Sequence, residues 1–124
     1  MPVFLAVAVG GAVGALSRFG LDRLIERRTF AVFPWSTFTI NISGCVLIGV
    51  IVAALVDRPH APAWVRTGLV VGLLGGYTTF STFAQEGLDL FREGQPGTAM
   101  LYAGGSVLVG LAAVWAGTLV GRLL

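Results

Sequence analysis

An all-α membrane protein of four transmembrane helices, the third broken near its middle, is the fold class this sequence predicts. Three observations predict it. Of the 124 residues 56% are hydrophobic and only 11% charged, whereas a soluble domain is charged at about 25% of its positions. Apolar runs long enough to cross a bilayer recur four times, separated by short polar connections. The third run carries at its centre Gly75-Gly76-Tyr77-Thr78-Thr79-Phe80-Ser81-Thr82-Phe83, two glycines followed by a cluster of hydroxyl residues, which is poor helix chemistry.

The spans are expected at about 2–22, 34–56, 65–90 and 97–122, so that residues 1–124 make a single four-helix transmembrane domain. The opening Met1-Pro2-Val3-Phe4 has no basic residue ahead of the apolar stretch, so the first span is expected to be retained rather than cleaved. In that span Gly10 and Gly14 share one helix face, where absent side chains let another helix approach. Arg18 follows one turn later and either snorkels to the interface or turns inward to supply positive potential. The second span opens on Pro34, suited to a first turn, and sets Asn41 deep among apolar neighbours. Its amide has two N–H donors and one acceptor, fitting either interhelical glue or a donor aimed at an anion.

In the third span, paired glycines and β-branched threonines predict unwinding near Gly75. Backbone groups freed at membrane depth must be buried in protein, line a watery cavity or hold an ion. Beyond the break Phe80 and Phe83 fall on one side with Thr82 nearby and Ser81 on another face; the rings either fill the core or turn their positive edges to an anion. Glu86 begins the polar end, expected as an interfacial cap or an arginine's partner. The fourth span sets Tyr102, Ser106 and Gly110 at four-residue intervals, a hydroxyl-bearing face that serves as a donor wall or as a packing seam, and Gly117 and Gly121 repeat the close-packing spacing.

The eight basic residues, all arginine, and six acidic ones are dispersed and leave a net charge of +2, no nucleic-acid footprint. Cys45, alone in an apolar run, reads as a small hydrophobe. The first and third connections carry Arg23, Arg27, Arg28 and Arg92, and the other side carries Arg58, Arg66 and Arg122 besides the amino terminus. Such balance suits either one weakly signalled orientation or insertion both ways up, with opposite copies pairing about an axis in the membrane plane. No enzyme is expected: His60 stands alone beside prolines, no span holds a carboxylate pair, and no glycine-rich loop precedes a basic phosphate ligand. Neutral donors with one inward-capable arginine, rather than carboxylate rings, point to an anion.

Three stretches carry a resemblance across essentially the whole chain: Gly10-Gly11-Ala12-Val13-Gly14-Ala15-Leu16-Ser17-Arg18-Phe19, Thr37-Phe38-Thr39-Ile40-Asn41-Ile42-Ser43-Gly44, and 72–83 around the glycine pair. The sequence resembles the Fluc-type fluoride channels, the CrcB family. The resemblance implies an antiparallel dual-topology homodimer, multi-pass in the cell inner membrane, whose two pores let fluoride leave passively and so lower its toxicity. It implies a structural sodium ion, Na+, on the backbone carbonyls of Gly75 and Thr78. It also implies that Asn41, Phe80, Phe83, Tyr102 and Ser106 line the fluoride path, with Ser81 and Thr82 as further polar contacts and Arg18 near the aqueous entrance. Fluoride, a second copy and the lipid bilayer are the expected partners. Phe19 stands where tyrosine is usual in the family, and Gly110 where some members carry a hydroxyl. Two other classes compete: a proton-coupled exporter of small cations, for which only Glu86 offers a carboxylate, and a non-transporting protein assembled through its glycine seams.

Overall fold

The computed structural model describes residues 2–56 and 58–124, and all regular structure among them is helical. Helices α1 (Pro2–Glu26), α2 (Trp35–Val56) and α6 (Pro96–Gly121) are each long and apolar enough to cross a membrane. Between α2 and α6 the chain is built in pieces. Helix α3 (Ala63–Thr67) runs into a π-helical stretch, Gly68–Leu74, and then into the single turn α4 (Gly75–Tyr77). Thr78 and Thr79 are extended, and α5 (Phe80–Arg92) follows.

Glycine positions dictate which helices touch. A Cβ on Gly10 would sit 2.5 Å from the Gly68 carbonyl, and one on Gly14 would strike the Leu73 carbonyl, so α1 lies backbone to backbone against the π-helical stretch. Contacts advance together along both chains, which makes this pair parallel. In the same way Gly117 meets Val46 and Gly121 meets Val50, so α2 and α6 form a second parallel pair. The starts of α1 and α3 therefore share one end of the bundle with the finishes of α2 and α6.

The chain leaves helical geometry later than the glycines suggest. Gly75 keeps helical dihedrals (φ −62°, ψ −36°), and the departure comes at Thr78 (φ −85°, ψ 160°) and Thr79 (φ −148°, ψ 121°). Of the glycine pair, Gly76 answers to close packing instead: a Cβ there would lie 2.6 Å from the Gly11 carbonyl, whereas one on Gly75 would meet nothing nearer than the Val70 carbonyl at 4.0 Å. The chain leaves the helix there because the backbone groups of Thr79 have a partner on α2, described below. Helix α1 also runs past residue 22 to Glu26, held at that end by a hydrogen bond from the Ser36 hydroxyl to Asp22 Oδ1.

The tightest core is aromatic. Fully buried Tyr102 packs with Leu90 and Ala99 beneath Phe33, Phe38 and Phe83. Elsewhere large apolar side chains such as Phe4, Leu16, Leu108 and Trp115 face outward, the arrangement lipid rather than water permits. Trp35 and Trp64 are half exposed near helix starts, where amphipathic rings settle at an interface.

Candidate functional site

The polar chemistry gathers where α2, α5 and α6 meet around the extended pair Thr78–Thr79. Asn41, held on α2 by apolar neighbours, closes a two-point hydrogen bond with the backbone of Thr79: its Nδ2 donates to the Thr79 carbonyl at 2.9 Å, and its Oδ1 accepts from the Thr79 N–H at 2.8 Å. A side-chain amide thus imitates a neighbouring strand for one residue, which satisfies both backbone groups where the helix is interrupted. One Nδ2 hydrogen remains uncommitted. The interhelical glue foreseen for Asn41 uses one hydrogen of that nitrogen and the amide oxygen.

Thr79 also caps α5. Its Oγ1 accepts from the Thr82 N–H at 3.3 Å and donates to Thr82 Oγ1 at 3.1 Å, satisfying one of the free donors at the helix start. Thr78 turns back, its N–H and its hydroxyl both reaching the Leu74 carbonyl at 2.9 Å. Because Thr79 N–H is taken by Asn41, the Gly75 carbonyl loses its usual helical donor four residues on. The Thr78 carbonyl likewise receives no hydrogen bond among the described residues. Both residues line an open groove of about 340 Å³ that also holds Asn41, Gly44, Cys45, Thr79 and Phe80.

From that groove an aromatic line leads inward. Phe80, 79% exposed, stands 5.7 Å from Phe83, and Phe83 stands 5.0 Å edge-on from Tyr102. Tyr102 in turn meets Phe33 at 5.3 Å and 82°, so a hydroxyl group is carried at the end of a stack of rings. Thr37 and Glu86 are polar neighbours of that hydroxyl. The Thr37 hydroxyl donates to Glu86 instead, and among the described residues neither the Tyr102 hydroxyl nor Ser106 Oγ, one turn further along α6 and also buried, has a partner at hydrogen-bond distance.

Arg18, half-buried, lines a cavity of about 180 Å³ with Phe19, Asp22, Thr37, Thr79 and Thr82, and its Nε is buried with no hydrogen-bond partner among the described residues. A larger vestibule of about 430 Å³ adjoins, walled by Asp22, Glu26, Ser36, Thr37, Thr82 and Glu86. The structure therefore gathers Asn41, Phe80, Gly75 and Thr78 at one groove, carries the line through Phe83 to Tyr102 and Ser106, and sets Arg18 and Thr82 at a neighbouring cavity. Ser81 stays apart: it is exposed and lines neither the groove nor these cavities.

One expectation is corrected, and one pair is new. Glu86 pairs with no arginine among the described residues; it accepts from the Thr37 hydroxyl at 2.5 Å, because Thr37 is buried beside it on α2. Ser43 and Tyr77, passed over in the sequence, join across the helices, with hydroxyl oxygens 2.8 Å apart. Their signal was there in two hydroxyls amid apolar runs, but nothing in their spacing told that the two runs meet at that height.

A family model described as "CrcB-like protein, Camphor Resistance (CrcB)" matches residues 5–118. Among curated proteins the chain is similar to the "Fluoride-specific ion channel FluC" of Acidobacterium capsulatum, 46% identical over 96% of this chain and 95% of that one. The proteins of the same name from Azotobacter vinelandii and Bordetella bronchiseptica are each 45% identical over 98% of this chain, and over 98% and 92% of their own lengths.

Proposed function

The chain belongs to the CrcB-like family, and on that premise we propose that it is a fluoride-selective ion channel through which fluoride leaves the cell passively across the inner membrane. One observation carries the reading: among the described residues Tyr102 OH and Ser106 Oγ are buried hydroxyls without partners, one turn apart on one helix face, with the Tyr102 ring against the Phe80–Phe83 pair. Burying an unpaired hydroxyl costs about 1–3 kcal/mol, and an anion that accepts from both removes that cost. Fluoride is small and strongly hydrated, so a path must replace its water with several aimed donors. The remaining Nδ2 hydrogen of Asn41, the two hydroxyls and the positive ring edges are of that kind. Chloride, being larger, is excluded where the lining is too narrow to admit it. Arg18, with a buried Nε and no partner, supplies positive potential beside the path, and Thr82 adds a hydroxyl at the same cavity.

The carbonyls of Gly75 and Thr78 fit a structural Na+. Among the described residues both lack hydrogen-bond donors, and both border a groove open on one side, so a hard cation would supply the partner that peptide oxygens need at membrane depth. The openness of that groove, with Phe80 largely exposed beside it, also suits completion by a second copy. We read the assembly as an antiparallel homodimer, each path lined from both subunits.

Purified protein in liposomes loaded with potassium fluoride, given valinomycin to balance charge, tests the proposal. Prompt fluoride efflux without chloride efflux is the expected result. Efflux appearing only with a pH gradient and an organic cation would replace the channel with an exporter, and no efflux under either condition would leave an assembly protein.

A further inference from the structure

Resting on the sodium reading above, we infer that Tyr77 is a positioning residue whose hydroxyl, through Ser43, fixes the Gly75 and Thr78 carbonyls. Helix α2 thereby grips the interruption on both sides. After the break Asn41 holds Thr79 at both backbone groups. Before it Tyr77 and Ser43 stand 2.8 Å apart, hydroxyl to hydroxyl. Counting protons assigns the direction. Ser43 has one hydroxyl hydrogen and gives it to the Ile40 carbonyl at 3.0 Å, so Tyr77 is the donor and Ser43 Oγ the acceptor.

This second grip matters because the intervening residue cannot anchor itself to α2. Thr78 spends both its N–H and its hydroxyl on Leu74, within its own segment. Its carbonyl direction then follows from where Tyr77 and Thr79 are held, the two residues tied to α2. Gly44 completes the seat, since a Cβ there would strike the Thr78 methyl and approach the Tyr77 ring at 3.5 Å. Carbonyl oxygens select and hold a cation only when their positions are maintained, so loosening Tyr77 weakens cation binding before it weakens the fold.

The test uses full-length protein in liposomes, with fluoride efflux followed in sodium-free potassium buffer and sodium chloride titrated back. Tyr77→Phe removes the donor yet leaves Ser43 satisfied by Ile40, so no polar group is orphaned. Ser43→Ala removes the acceptor, and Ser43→Thr keeps it. Tyr77→Phe and Ser43→Ala are each expected to raise the sodium concentration for half-maximal flux by about two- to tenfold, the worth of one hydrogen bond. Ser43→Thr should lie near wild type, the double variant should be no worse than either single one, and exclusion of chloride should not change. A merely structural role would lower maximal flux and leave the sodium midpoint in place, which overturns the inference, as do unshifted midpoints throughout. Wild-type flux indifferent to sodium would instead overturn the sodium reading. Amide hydrogen exchange at residues 75–79 then decides the grip itself: faster exchange in Tyr77→Phe supports it, and unchanged exchange overturns it.

Discussion

At single residues the structure separates polar groups that hold the fold from those left over. Asn41 is committed to Thr79 through two of its hydrogen-bonding groups, so Asn41→Asp replaces a donor with a carboxylate oxygen facing a carbonyl. Leaving that carbonyl unsatisfied costs about 1–3 kcal/mol, and the new charge repels an anion. Both thermal stability and fluoride flux are therefore expected to fall, with the proposed dimer still formed at low temperature. Tyr102 predicts the opposite split. Its hydroxyl is buried and closes no hydrogen bond among the described residues, so Tyr102→Phe removes no bond that the fold uses. Unfolding temperature should hold or rise while flux drops, because a group unpaired in the protein is the one free to meet an ion. A fall in stability as large as that of Asn41→Asp would mean that Tyr102 has a structural partner and would remove it from the proposed path.

At the level of helices, the contacts are made by backbone and policed by glycine. Gly76→Ala would drive a methyl into the Gly11 carbonyl, and overpacking of that kind costs about 1–3 kcal/mol. Gly20→Ala, on the same α1 seam's flank but with nothing within 4 Å, serves as the control and should be neutral or gain a few tenths of a kcal/mol from helix propensity. Unfolding in mild detergent, followed by circular dichroism, compares the two. The seams were legible in advance because a small-residue spacing of four has one physical use in a membrane helix. Three features were not. The glycine pair read as the point of unwinding, yet Gly76 serves approach to α1, and the chain leaves the helix two residues later, where Asn41 and Thr82 offer Thr79 better partners than its own helix does. The π-helical turn at Gly68–Leu74 has no hydrophobic period to announce it. The Thr37–Glu86 and Ser43–Tyr77 pairs depend on the heights at which helices meet, which local sequence does not encode.

For the whole molecule, the parallel pairing of α1 with the π-helical stretch and of α2 with α6 sorts the arginines between two ends. Arg58, Arg66 and Arg122 lie toward one, and Arg23, Arg27, Arg28 and Arg92 toward the other. Orientation responds to the excess of basic residues in short loops, and here the excess is nearly zero. That neutrality is what the proposed antiparallel pair requires, since each membrane must receive copies of both orientations. It is also easily upset. His60→Lys and Leu123→Lys with Arg27→Gln and Arg28→Gln moves the excess to the first end, while Arg58→Gln and Arg122→Gln with Gln95→Lys moves it to the second. His60, Leu123, Arg27, Arg28, Arg58, Gln95 and Arg122 are all exposed, so folding of the protomer is not at stake. Each set expressed alone should give chains of one orientation, checked by labelling of single terminal cysteines from either side, and fluoride flux should be lost. The two sets expressed together should recover it, because opposite copies are again present to complete the groove beside Gly75 and Phe80. If either set alone, uniformly oriented, conducts as the wild type does, one orientation suffices and the antiparallel assembly must be given up, whatever the lining of the path.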